Sequence, residues 1–224
     1  GRVYVTMDGH RSNDDVPYLF VSENHGKTWR SIRANLPQSA GTTRVLREDR
    51  YNANVLYLGC EFSIWVSIDR GESWTKLNSN LPTVAIHEIA IHPTAGEIVA
   101  ATHGRSLWVL DVSALRNISS TTVAASSTLY RPNSTIRWRR ERARGSSGTR
   151  RFVGQNPPSG AAIYYSLSKS ATEVELQISD LAGRLIRDLP VQNQPGLHRV
   201  SWDLRRRVPG NSQNQRSRRG PTVT

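Results

Sequence analysis

Apolar and polar residues alternate with period two along a series of short runs, and each run predicts a strand with one dry face. Residues 1–8, 17–22 and 29–32 read as three strands, with a polar loop at 9–16 between the first two. A set of four follows at 42–47, 54–61, 63–67 and 73–77. A third set runs through 87–92, 97–101 and 105–111, then an insertion at 112–127 and an outer strand at 129–132. Further along, 161–167, 173–179, 185–189 and 197–204 predict four more strands. In the second of these, Val174, Leu176 and Ile178 share one face while Glu173, Glu175 and Gln177 share the other. Helix-period stretches are scarce and the chain is punctuated by 16 Gly and 11 Pro, so the expected class is all-β.

A repeat organises the first part. Ser22-Glu23-Asn24-His25-Gly26-Lys27-Thr28-Trp29 recurs 45 positions later as Ser67-Ile68-Asp69-Arg70-Gly71-Glu72-Ser73-Trp74. Leu36-Pro37 and Leu81-Pro82 repeat with the same offset, and Leu107-Trp108-Val109 matches Ile64-Trp65-Val66. A period near this length with strand-like flanks is the signature of a propeller of four-stranded blades. Within each copy Asn24 or Asp69 can accept backbone hydrogen bonds in its own turn, Gly26 or Gly71 can take a positive φ, and Trp29 or Trp74 offers an apolar anchor between blades.

The pattern S-x-D-x-G-x-[ST]-W resembles the Asp box of sialidases, of sortilin-type receptors and of secreted bacterial propellers. The second copy matches in full; the first carries Asn24 at the acidic position. The resemblance implies that Ser22, Asn24, Gly26, Trp29, Ser67, Asp69, Gly71 and Trp74 are structural hairpin residues. Residues 1–136 are then about three blades from the C-terminal part of such a propeller, and three blades cannot close a ring of the usual 4–8. The open edge leaves strand groups and apolar faces unpaired.

Residues 137–155 read as an Arg-rich linker. Beyond it stand Asn156-Pro157, then Val174-Glu175-Leu176-Gln177-Ile178-Ser179-Asp180-Leu181-Ala182-Gly183-Arg184-Leu185-Ile186, then Gly196-Leu197-His198-Arg199-Val200-Ser201-Trp202-Asp203. In this order the segments resemble FlgD-type and secretion-sorting domains. That implies a small immunoglobulin-like sandwich over 156–224. Its closing strand is absent, so the module is expected to be incomplete, as is the propeller that begins inside a strand-like run.

The formal charge of +12 changes this picture little. It comes almost wholly from arginine, in two clusters, Arg137, Arg139, Arg140, Arg142, Arg144, Arg150 and Arg151, and Arg205, Arg206, Arg207, Arg216, Arg218 and Arg219. Both lie in Gly/Ser/Asn/Gln-rich text with only Trp138 as an aromatic neighbour, which favours solvated loops over a nucleic-acid surface. Weak attraction to acidic polysaccharide or an anionic cell surface is a middle case. The single cysteine, Cys60, excludes an internal disulfide and reads as a buried small hydrophobe. The six histidines form no close ligand pair, so neither metal nor other cofactor is expected. No apolar run reaches the length of a membrane span.

The loops between second and third strands carry the candidate chemistry. They hold Asp8, His10, Arg11, Asn13, Asp14 and Asp15 in the first blade, Glu61 and Phe62 in the second, and His103 and Arg105 in the third. Asp8 and Glu61 fall at matching places, and two facing carboxylates are what glycoside hydrolysis requires. The competing reading is that each satisfies the backbone of its own hairpin. The expectation is a non-catalytic extracytoplasmic binding or scaffold protein, its propeller face engaging a glycan or protein partner. The alternative is part of a propeller glycoside hydrolase acting on polysaccharide.

Overall fold

The alternation of the first 111 residues resolves into three antiparallel sheets. A computed structural model describes residues 1–77, 80–137 and 159–206. The first sheet holds β1 (Val3–Gly9), β2 (Asp14–Ser22) and β3 (Arg30–Ser31) in that order. The second holds β4 (Thr43–Glu48), β5 (Leu56–Cys60), β6 (Ile64–Ser67) and β7 (Thr75–Lys76). The third holds β8 (Ile86–Ile91), β9 (Glu97–Thr102) and β10 (Leu107–Asp111). Each is a blade, and the expected polar loop at 9–16 is shorter than the sequence suggests, because β2 starts at Asp14 and pairs it with Gly9.

Blades stack face to face, and each seam is an apolar core. Leu19, Val21, Ile32 and Leu36 of the first blade pack with Leu56, Leu58, Cys60 and Trp74 of the second. Val45, Tyr57, Ile64 and Val66 of the second pack with Ile86, Ile89, Ile98 and Ala100 of the third. Period two explains the division: along β5, Leu56, Leu58 and Cys60 point to one seam and Tyr57 to the other. The second seam is tight enough to demand Gly59, where a Cβ would lie 2.7 Å from Val45 and 2.8 Å from Ile86. Burial pushes the Cys60 thiol up to about 12, in keeping with an inert core residue.

The repeated turns are built alike. Ser22 Oγ accepts from Gly26 N at 2.8 Å and Ser67 Oγ from Gly71 N at 2.7 Å, while Asn24 Oδ1 and Asp69 Oδ1 each accept the amide four residues on at 2.9 Å. Gly26 and Gly71 have φ of 84° and 88°, which only glycine takes without strain. The two anchors differ: Trp74 is buried in the first seam, whereas Trp29 is exposed.

The insertion after β10 forms two short helices, α1 (Ser113–Arg116) and α2 (Ser120–Ala124), the second capped by Ser119 and Thr122. Val112 and Leu115 bury against the second seam. Arg116 donates to the buried Asp49 at 2.8 Å and stacks over the Tyr51 ring.

One expectation fails here. The segment predicted as the outer strand of the third blade, 129–132, is strand only at Leu129, the last residue of β11 (Ser127–Leu129), and β11 pairs with β12 (Ala161–Leu167) in a different sheet. The reason is aromatic burial: Tyr130 N donates to Tyr164 O at 3.0 Å, and Tyr130 packs with Tyr164 and Ala114. A strand from before the expected linker thus joins the sheet after it, and β10 has no fourth-strand neighbour among the described residues.

The rest comprises β13 (Leu176–Ser179) paired with β14 (Leu185–Leu189), and β15 (Gly196–Trp202) paired with β12. Leu176 and Ile178 are partly buried and Gln177 and Ser179 exposed, as the alternation requires. Of the expected linker and arginine clusters, Arg137, Arg205 and Arg206 are described; the others, and Asn156-Pro157-Pro158, lie outside the described residues.

Candidate binding face

Strand β1, which corresponds to β5, and the inner strands β4 and β8 of the next two blades lie side by side, and their polar side chains meet across the seams. Three register irregularities set the geometry. The pairing shifts between Met7 and Gly9, between Thr43 and Val45, and between Ile86 and Glu88. Asp8, Arg44 and His87 are the residues at these bulges, where a side chain is turned out of the regular alternation.

Arg44 joins two blades. It donates through Nη1 to Asp8 Oδ2 at 3.0 Å and through Nε to Glu61 Oε2 at 2.8 Å, with Nη2 on the same Glu61 oxygen. Asp8 also accepts from His10 N at 2.9 Å. That backbone hydrogen bond, with Arg44 second among the favourable contacts, holds the Asp8 carboxyl below its ordinary range. The two carboxylates singled out in the sequence are therefore brought together, each on the same guanidinium.

Further along the seam Arg2 bridges Glu23 at 2.8 Å and Glu48 at 2.9 Å, and Tyr4 Oη donates to Glu48 at 2.7 Å. Burial first, and the Glu48 hydrogen bond second, push the Tyr4 hydroxyl up to about 12. Arg47 pairs with Glu88 at 2.7 Å across the next seam. Between these pairs lies a cavity of about 200 Å³ lined by Tyr4, Thr6, Arg44, Val45, Leu46, Arg47, His87 and Glu88. His87 meets His103 with ring centroids 4.8 Å apart.

The hairpins are tied to the strand entries in the same way in two blades: Glu61 N donates to Thr42 O, and His103 N to Ala85 O. Phe62 is exposed. His10 lies 4.0 Å from Asp15, and Asp14 accepts from its own hairpin, from Val16 N and Tyr18 Oη. Arg11 and Arg105 are exposed, and Arg105 N donates to Thr102 Oγ1. The residues that line the cavity are thus mostly strand residues the sequence reading passed over, namely Tyr4, Arg44, Arg47, His87 and Glu88. No local pattern singled them out, because the bulges that turn Arg44 and His87 depend on the register of β4 on β5 and of β8 on β9. Among the described residues no group of three or more His, Cys, Asp or Glu side chains is placed to hold a metal ion.

A larger depression of about 380 Å³ sits by the second repeated turn, lined by Asn54, Ile68, Asp69, Arg70, Glu72 and Ser119. Arg70 reaches across it to Asn54 at 2.8 Å. No helix among the described residues is long and apolar enough to cross a membrane.

No curated protein matches the chain. The family model described as sortilin, neurotensin receptor 3 matches residues 18–151, which spans the turn repeat, the second and third blades and the helical insertion. The chain belongs to the sortilin-Vps10 family.

Proposed function

We propose that the chain is a non-catalytic binding or scaffold protein of the extracytoplasmic space, whose inner-strand groove receives a protein partner. The observation that carries this reading is the shared guanidinium of Arg44. A glycosidase pair needs one carboxyl able to give up a proton and another free to attack or activate water. Asp8 and Glu61 instead share one cation, and Asp8 is held as the ion. A groove edged by alternating charges, with Tyr4 and His87 between them, suits a polar peptide surface and supplies no isolated acid. A glycan partner fits the same polar lining and is the second occupant to test. The two small sheets formed by β11, β12 and β15 and by β13 and β14 support the reading of an immunoglobulin-like tether over 156–224.

The test is selection of a displayed random-peptide library on the purified chain, beside a glycan array and a polysaccharide hydrolysis panel. Enriched peptides that lose binding to His87→Ala and Glu88→Ala support the groove. Binding unaffected by both changes would place the partner elsewhere. Hydrolysis that disappears in Asp8→Asn with Glu61→Gln would overturn the non-catalytic reading.

A further inference from the structure

The second blade carries another surface at the end opposite the Glu61-Phe62 hairpin. Antiparallel pairing brings the β4–β5 loop and the β6–β7 turn together there. The loop presents Tyr51, which is 64% exposed. An exposed side chain is ordinarily free to turn, and this one is not. Tyr51 N donates to Asp49 Oδ1 at 2.9 Å, Tyr51 Oη donates to Pro93 O, and the Arg116 guanidinium lies 4.8 Å from the ring centroid. Arg116 is itself fixed by the buried Asp49. The guanidinium takes one face of the ring, so the area left to solvent is held in one orientation.

The depression of about 380 Å³ by the second repeated turn adjoins this ring. Asn52 links the two: its Nδ2 donates to Arg116 O and Ile118 O, and its Oδ1 accepts from Asn54 N. Asn54 and Ser119 line the depression. Its volume falls within the range of small-ligand sites, about 300–1,000 Å³. Arg70 spends Nε on Asn54, while its terminal nitrogens and the Glu72 carboxylate have no hydrogen-bond partner among the described residues. Both side chains are exposed.

We propose that this surface binds a neutral oligosaccharide, with one pyranose stacked on Tyr51 and the next seated in the depression against Arg70 and Glu72. A sugar hydroxyl both donates and accepts, so a guanidinium and a carboxylate within one depression satisfy it from both sides. The C–H edge of a pyranose is partially positive and packs on the negative face of an aromatic ring. A tyrosine already held in place loses little freedom when the sugar arrives. Charge selects the sugar: Asp69 and Glu72 outnumber Arg70 in the lining, so an acidic sugar is disfavoured here although the whole chain is formally +12. The surface shares no residue with the inner-strand groove and stands whether or not that groove receives a peptide.

Isothermal titration calorimetry of the 224-residue chain with neutral pentasaccharides of glucose, mannose, galactose and xylose, and with alginate as the acidic probe, reads the outcome. At least one neutral series should bind. Tyr51→Ala should then weaken binding by about tenfold, while Tyr51→Phe, which keeps the ring, should stay close to the unaltered chain. Arg70→Gln with Glu72→Gln should weaken binding as well, and His87→Ala in the groove should not. The circular dichroism spectrum should be unchanged throughout, since Tyr51, Arg70 and Glu72 are exposed. No binding of any neutral sugar, or affinity that survives Tyr51→Ala, would overturn the proposal. Equal losses in Tyr51→Phe and Tyr51→Ala would do so too, by showing that the ring face plays no part. Binding lost in His87→Ala alone would move the sugar to the groove, and binding of alginate alone would reduce the effect to the general attraction of a basic chain; either result also overturns this site.

Discussion

Asn35 holds the main chain of Trp74 from both sides, accepting from Trp74 N at 2.7 Å and donating to Trp74 O at 2.9 Å. The asparagine follows the outer strand of the first blade and the tryptophan opens that of the second, so one side chain fixes the spacing of two blades. Replacing Asn35 by Ala leaves both backbone groups without their partner at the seam. The expected cost is about 1–3 kcal/mol, measured as a shift in the urea midpoint with the slope unchanged. A loss within error of zero would mean that water replaces the amide without penalty.

The two tryptophans of the repeat should answer differently to truncation. Trp74 is buried among Leu19, Ile32 and Leu58 and its indole donates to Ile32 O at 2.8 Å. Trp29 bonds to Gly26 O within its own turn and leaves much of its ring in solvent. Trp74→Ala should cost about 3–5 kcal/mol, the range for large buried aromatics. Trp29→Ala should cost far less. Equal losses from the two variants in parallel urea titrations would contradict this account of the seam.

The repeat and the blade strands were legible because they depend on local spacing. Glycine at the fifth position and tryptophan at the eighth of each turn are enough to locate a hairpin. What could not be read depends on partners distant in sequence. The bulges at Arg44 and His87 arise from the register of β4 on β5 and of β8 on β9, and no local pattern marks them. Arg44 was consequently invisible as the residue that neutralises both carboxylates. The exchange of Ser127–Leu129 into the later sheet has the same origin, since it is decided by Tyr164 more than thirty residues away. The matching Gly and Trp of the two motifs also gave no hint that Trp74 would be buried and Trp29 exposed, because that follows from what covers each one.

Asp49 ties the helical insertion to the second blade, and removing it should be costly. Its carboxylate is buried and accepts from Tyr51 N, Asn52 N, Tyr57 Oη and Arg116 Nε. Asp49→Ala leaves a mostly buried guanidinium unpaired, with an expected cost of about 3–5 kcal/mol. Combining it with Arg116→Met should recover part of the loss, because an apolar side chain of similar length needs no counter-ion. If the double variant is no more stable than Asp49→Ala in thermal melts, the ion pair is not what holds α1 in place.

Acid sensitivity should separate the two repeated turns, since only the second contains a titrating group at its centre. Burial works against the ionised form of Asp69, yet the hydrogen bonds from Ser73 and Ser67 outweigh it and keep the carboxyl below its ordinary value of 3.8. A carboxyl lowered in the folded state contributes stability above its unfolded value, and the contribution disappears as pH falls through the folded one. Asp69→Asn should therefore destabilise the protein at neutral pH. The difference from the unaltered chain should shrink once the pH drops below about 4, where the unfolded carboxyl takes up its proton. Asn24 already occupies the matching place in the first turn without a charge, so Asn24→Ala should cost the same at either pH. Urea midpoints of the three proteins at neutral and acid pH test this. A difference for Asp69→Asn that does not narrow in acid would show that the carboxylate acts in its turn only as a neutral acceptor does, leaving its charge no part in stability.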